Sequence, residues 1–190
     1  TGNQLISKET AGGKSVVVIE KGEPKSCNIV TSCEGKGKTF IMFSDDLDKA
    51  LATFVLANGA AATGQKVTIF FTFWGLNVIK KLHKPNVEKD IFGKMFGMML
   101  PSSSRKLKLS KMSMGGIGGK MMRYIMNRKG IDSLESLRQQ ALENGVEFIA
   151  CQMSMDVMGV KQEELLDEVT IGGVATYMER ADNANINLFI

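Results

Sequence analysis

Three short apolar runs, at residues 39–43, 66–73 and 146–150, are separated by segments whose apolar residues recur at helical spacing. A strand with polar residues at alternate positions can leave one face in water, whereas a strand apolar on both faces must be covered on both. Such runs alternating with helices predict βαβ units and a parallel sheet between two helical layers. The expected fold is therefore α/β: a three-layer α/β/α sandwich with a mainly parallel sheet of about five strands.

The first unit reads as strand 39–43, a cap at Ser44-Asp45-Asp46, then a helix from Leu47 toward Gly59 or Gly64 carrying Ala50, Leu51, Phe54 and Val55 on one stripe. A second strand follows at 66–73 and a short helix at 75–82. Residues 102–130 mix Ser, Gly, Met and basic residues and read as a mobile loop or lid with a short helix near 120–127. Ser133 caps a helix over 134–143, which Asn144-Gly145 closes, and strand 146–150 leads to Cys151. A helix at 161–167, a strand at 169–171, a Gly172-Gly173 turn into a helix through Ala181 and a last strand at 186–190 complete the pattern. Residues 1–37 differ: 16–19 read as a strand, but the surrounding glycines and Pro24 leave a fragment or linker, so the expected boundary separates 1–37 from 38–190.

Composition narrows the function classes. The 190 residues carry 24 basic and 20 acidic side chains, and the resulting charge of +4, without aromatic residues between the cations, argues against nucleic acid. Three cysteines are too few and too odd for a disulfide framework, so a reducing compartment, the cytoplasm, is expected. Residues 1–14 have no charged segment leading into an apolar one, and Lys94, Lys120 and Arg123 interrupt the longest apolar stretches, so neither a signal peptide nor a membrane span is expected. A peripheral contact with a membrane surface stays open.

Few motifs survive inspection. Gly35-Lys36-Gly37-Lys38-Thr39 ends like a P-loop, but Ser32 replaces its first glycine and a strand follows instead of preceding it. Gly115 to Gly119 fails G-x-G-x-x-G at Met121. His83 is the only histidine, which removes Ser-His and Cys-His schemes, and Cys27 and Cys33 are too loosely spaced for a zinc pair; no metal and no cofactor are expected. Cys151 remains, at the carboxyl end of a strand, where open α/β sheets place their chemistry. It reads either as a buried apolar residue or as a reactive thiolate, with Ser154 or Asp156 capping a helix just beyond it. Gly172-Gly173 sits at a strand-to-helix turn that could hold an anion or simply turn the chain.

Several segments together are familiar: Phe73-Trp74-Gly75-Leu76-Asn77, Lys108-Leu109-Ser110-Lys111-Met112, 150–159 around Cys151, and Ile171-Gly172-Gly173-Val174-Ala175-Thr176-Tyr177. Residues 38–190 resemble the DsrE/DsrF/DrsH-like family of sulfur-relay proteins, in its larger peroxiredoxin-like subgroup. The resemblance implies an α/β/α sandwich, frequent oligomerisation, and sulfur carried as a persulfide on a strand-end cysteine, which here is Cys151. Residues 1–6 and 13–22 are similar to the last half of a TusA-like (SirA-like) carrier domain, which would make this chain part of a longer fusion. Partners implied are TusA-like sulfur carriers, rhodanese domains and flavin-dependent disulfide reductases.

The expected function is that of a sulfurtransferase in which Cys151 takes sulfane sulfur from a donor and passes it to an acceptor thiol. Phe73, Trp74, Gly75, Ser154, Asp156, Gly172 and Gly173 are the expected substrate-binding residues, and a homo-oligomer is expected. Two alternatives stand beside it: a non-catalytic interaction module with Cys151 buried, and a small-ligand-binding α/β domain using Gly172-Gly173.

Overall fold

The computed structural model describes residues 4–11, 14–20, 37–83, 85, 87 and 91–190, with the side chains of residues 4–11, 14–20, 91, 92, 94 and 96 left aside. The chain divides into two units, Thr1–Glu34 and Gly35–Ile190. In the first, β1 (Gln4–Ala11) pairs antiparallel with β2 (Lys14–Glu20), with a register shift between Leu5 and Ser7. The strand expected at 16–19 is thus half of a hairpin whose first strand the sequence did not disclose. Cys27 and Cys33 lie outside the described residues.

In the second unit β3 (Gly37–Met42) is followed by α1 (Leu47–Ala62), β4 (Val67–Phe71), a 3-10 turn at Phe73–Ile79, and α2 (Ile91–Met99). Then come α3 (Ile117–Arg128), α4 (Leu134–Glu143), β5 (Glu147–Cys151), α5 (Gln152–Met158), β6 (Thr170–Gly172), α6 (Val174–Asp182) and β7 (Ala184–Phe189). The sheet order is β6-β5-β4-β3-β7 and every pairing is parallel. The chain steps from β3 out to β6, and α6 then carries it back to the far side of β3, so strand order reverses between β3 and β7. At that reversal the Phe43 ring lies 5.7 Å from Phe189 and 5.5 Å from Phe73, and the Phe43 N–H donates to the Ile190 carbonyl at 2.8 Å.

Alternate side chains of the strands feed two unequal cores. Phe40, Met42, Val67, Ile69, Phe71, Phe148 and Ala150 point into the larger one, against Leu47 and Phe54 of α1, Leu134 and Ala141 of α4, and Met155 and Met158 of α5. Phe70, Ile149 and Cys151 point the other way, against Tyr177 of α6, with Ile41 and Ala181 at the margin. The continuous apolar runs follow from this double coverage. Ser133 caps α4 as expected, its Oγ accepting the Ser136 N–H at 3.1 Å.

Several elements differ from expectation, the helix expected at 75–82 being the 3-10 turn Phe73–Ile79. Asp46 is the residue preceding α1, without a side-chain cap; Ser44 donates to its carboxylate at 2.8 Å instead. Residues 102–130 hold a full helix, α3, which begins inside the glycine run. The helix expected at 161–167 is only a 3-10 turn at Gln162–Glu164, because Leu165 turns extended to bridge Lys80. α2 was not anticipated.

Candidate functional site

Cys151 is the last residue of β5 and the N-cap of α5, placed at the carboxyl edge of the sheet by its pairing with Gly172 of β6. Its thiol is not presented to solvent: the residue is 2% exposed and packs with Phe70, Ile149 and Tyr177. Among the described residues it is the one free cysteine. Of the two readings open for a strand-end cysteine, the static geometry is that of the buried one.

Tyr177 brings α6 onto this cluster. Gly172 lets its start descend onto β5, since a Cβ there would come within 2.8 Å of Ile149 and 3.3 Å of Thr176; Gly173 has open space around it. The far half of α6 is fastened at two points. The hydroxyls of Tyr177 and Thr39 lie 3.3 Å apart, and Thr39 also donates to Asn187 of β7. Arg180 grips Glu147 with Nε at 2.9 Å and a second nitrogen at 3.2 Å, while Thr68 donates to the same carboxylate at 2.9 Å. The Arg180 hydrogen bond, with help from Thr68, holds the Glu147 carboxyl below the usual carboxylate range, against the opposing effect of its partial burial.

The other expected site residues divide. Gly172 and Gly173 do neighbour Cys151. Ser154 does not cap α5 but lies inside it, fully buried, its hydroxyl 2.8 Å from that of Thr72 at the end of β4. Asp156 is exposed and accepts from Gln152 at 3.0 Å, one turn earlier. The two are therefore a strut and a surface residue, since the cap position belongs to Cys151.

Phe73, Trp74 and Gly75 turn toward a different place. Gly75 is a packing necessity: a Cβ would sit 1.9 Å from the Met42 carbonyl oxygen, and its N–H donates to the Phe43 carbonyl at 2.8 Å. Phe73 adopts a positive φ of 47°, an unusual conformation for an aromatic residue, which such turns sustain only when neighbours hold them. Trp74, 43% exposed, lines a cleft of about 650 Å3 with Asp45, Met98, Met99, Lys106 and Lys108.

Asp45 in that cleft was read only as part of a cap. Burial, more than the neighbouring Asp46, raises its pKa, while the Asn77 amide donating to it at 3.0 Å opposes the rise. Asn77 is wholly buried and its own Oδ1 has no partner among the described residues. Nothing in the local sequence flagged this pair beyond Asn77 closing the Phe73–Asn77 segment. Among the described residues no cluster of His, Cys, Asp or Glu is arranged to hold a metal ion.

The chain has relatives among known proteins. The chain is 44% identical over 155 residues to the uncharacterised protein YrkE of Bacillus subtilis, covering 82% of this chain and 97% of that one. It is 38% identical over 161 residues to the sulfur carrier protein DsrE2 of Allochromatium vinosum, covering 83% and 99%. The crystal structure of the ychN protein from E. coli superposes with a TM-score of 0.49 at 9% identity, over 82% of this chain and 99% of that one. The DsrE/DsrF/DrsH-like family profile matches residues 35–189, and the chain belongs to that family.

Proposed function

We propose that the chain is a sulfur-relay protein that carries sulfane sulfur as a persulfide on Cys151 and passes it to an acceptor thiol. The observation that carries this reading is the near full-length match to a protein named as a sulfur carrier. Cys151 is the only cysteine within residues 35–189, so a thiol-borne sulfur in that region has one place to sit.

The step needs no oxidant. The Cys151 thiolate attacks the outer sulfur of a donor persulfide, the new S–S bond forms as the donor's S–S bond breaks, and the electron pair departs on the donor thiolate. Delivery is the same exchange with an acceptor thiolate attacking. Because Cys151 is buried, loading requires α6 to lift at Gly172-Gly173, and closure then keeps the persulfide from adventitious reductants. Phe70, Ile149 and Tyr177 are apolar walls suited to a sulfane sulfur, which is polarisable and weakly hydrated.

Rhodanese domains, TusA-like carriers and disulfide reductases are the proposed donors and acceptors, in a reducing compartment such as the cytoplasm. Residues 1–37 are proposed to be the tail of a TusA-like domain. Self-association is proposed through β7, an edge strand whose Ile186, Leu188 and Phe189 are exposed, as are Val174 and Met178 of α6. Exposed apolar edges of this kind seek partners.

The burial of Cys151 supports a second reading, an interaction module without sulfur chemistry. Incubation of the folded protein with polysulfide, followed by intact mass and peptide mapping, separates the two. One added sulfur on Cys151, removed by a reducing thiol and absent from a folded Cys151→Ser variant, is expected; a folded protein whose Cys151 stays unmodified while a denatured control reacts would reject the carrier reading.

A further inference from the structure

Charge is unevenly divided along this chain. Residues 91–131 contain nine Lys and Arg and no Asp or Glu, although the whole chain has 24 basic and 20 acidic residues. The remainder is consequently acidic by five charges. Of the eight cations between 105 and 129, only Arg123 meets a carboxylate among the described residues, that of Glu135 at 3.3 Å. The other seven are exposed, with no ion pair among the described residues.

The same segment exposes its apolar side chains. On α3 the buried face is made of Gly118, Gly119, Met122 and Met126, the first two set tightly on the 107–112 backbone: a Cβ on Gly118 would lie 2.0 Å from the Met112 carbonyl oxygen. The opposite face carries Ile117, Met121 and Tyr124, 66%, 46% and 65% exposed, at the i, i+4, i+7 spacing of one helical stripe. Lys120 and Arg128 flank that stripe. Just before α3, Met112 and Met114 are held at positive φ with both side chains outward, and Met98 and Met99 at the end of α2 share a cleft with Asp45, Asp46, Lys106, Lys108 and Ser113. The folded unit thus turns an apolar stripe of α3, flanked on that helix by cations alone, toward solvent.

We propose that α3 and the Met112–Met114 turn form a docking surface for an anionic lipid membrane, lying in the headgroup plane. Charge decides among the occupants. A second copy would bring the cations of one α3 against those of the other, a helix that carries no Asp or Glu. A protein partner fixes its register through charges of both signs, and α3 with the Met112–Met114 turn offers one sign only. A bilayer's negative charge is delocalised and needs no such register, while Met, Ile and Tyr enter the boundary between headgroups and acyl chains. α3 has twelve residues, about 18 Å of helix against a hydrocarbon core of about 30 Å, so it rests on the membrane and does not cross it. This inference rests on no step of the sulfur chemistry.

Co-sedimentation of the full chain with vesicles of phosphatidylcholine, with and without phosphatidylglycerol, tests it. Binding is expected only to the anionic vesicles, weakening at least tenfold at high salt. It should fall at least tenfold in Met121→Glu, and similarly in Lys108→Glu/Lys111→Glu, both with unchanged circular dichroism. Absence of binding to anionic vesicles, or binding indifferent to Met121→Glu, would overturn the proposal. So would a vesicle-free self-association that Met121→Glu abolishes, since the face would then join copies of the chain. Persulfide loading of Cys151 is measured separately in the same variants, so failure of one idea leaves the other standing.

Discussion

The two faces of the sheet differ in depth. On one, α1, α4 and α5 press Phe54, Leu134, Met155 and Met158 into a core that contains Phe71 and Phe148, whose rings lie 5.4 Å apart, with Phe54 5.7 Å from Phe148. On the other, among the described residues of this unit, Phe70, Ile149 and Cys151 cluster with Tyr177 of α6, which two polar clasps hold. Stability resides where several helices interlock, and local opening is drawn from the thinner side. The reactive candidate sits under the thin cover, which teaches that burial of a thiol in a static structure and its accessibility over time are set by different contacts.

The largest effect should come from the thick face. Phe148→Ala removes an aromatic ring that is 1% exposed and touches two others, and should cost about 3–5 kcal/mol in chemical denaturation. That is a large share of the roughly 5–15 kcal/mol of a typical domain. If Phe148→Ala proved no worse than a truncation at Tyr177, the proposed inequality of the two faces would break.

Next is the strut between β4 and α5. Ser154→Ala strands the Thr72 hydroxyl in a dry site and should cost about 1–3 kcal/mol, whereas Thr72→Val with Ser154→Ala should recover part of that loss, because neither partner is left unsatisfied. A double-mutant cycle in urea reads the coupling. Tyr177→Phe should be milder, about 0.5–1.5 kcal/mol, but it should speed alkylation of Cys151 in the native state several-fold more than Ser154→Ala does.

The smallest effects are those of pH. Glu147 has its folded pKa lowered by Arg180, so its contribution to holding α6 is present above its unfolded pKa and is lost as pH falls through the lower folded value. Amide exchange in α6 should therefore quicken in acid before that in α1. Asp45 runs oppositely: its raised pKa means that ionisation costs stability above the folded value, and the cost vanishes below the unfolded one. Asp45→Asn should raise Tm at neutral pH, since the new amide can both accept from Asn77 and donate to its orphaned Oδ1, and the gain should disappear in acid.

How much of this could be read beforehand follows from which forces are local. The β5 run, the Ser133 cap and the helix of 134–143 announce themselves, because apolar continuity and an N-cap are properties of adjacent residues. α3 does not: glycines disfavour helix, yet Gly118 and Gly119 are where the helix backbone lies almost on the 107–112 segment, so a tertiary contact overrides propensity. The 3-10 turn at Gln162–Glu164 stops short for the converse reason, because Leu165 is claimed by its bridge to Lys80. At the site, the position of Cys151 and its neighbour Gly172 was legible. Its depth was not, because Tyr177 reaches it from a helix 26 residues later in the chain. The roles of Ser154 and Asn77 were hidden similarly, their partners Thr72 and Asp45 lying on other elements.

The most direct measurement is native-state labelling of Cys151 with a neutral alkylating reagent along a urea series, beside amide exchange of the β5 and α1 amides. If α6 opens alone over the thiol, labelling should have a smaller denaturant slope and a lower opening free energy than the core amides. Labelling that matches the core in both slope and free energy would mean that Cys151 is exposed only by global unfolding, and would contradict a thiol served by the thin face of the sheet.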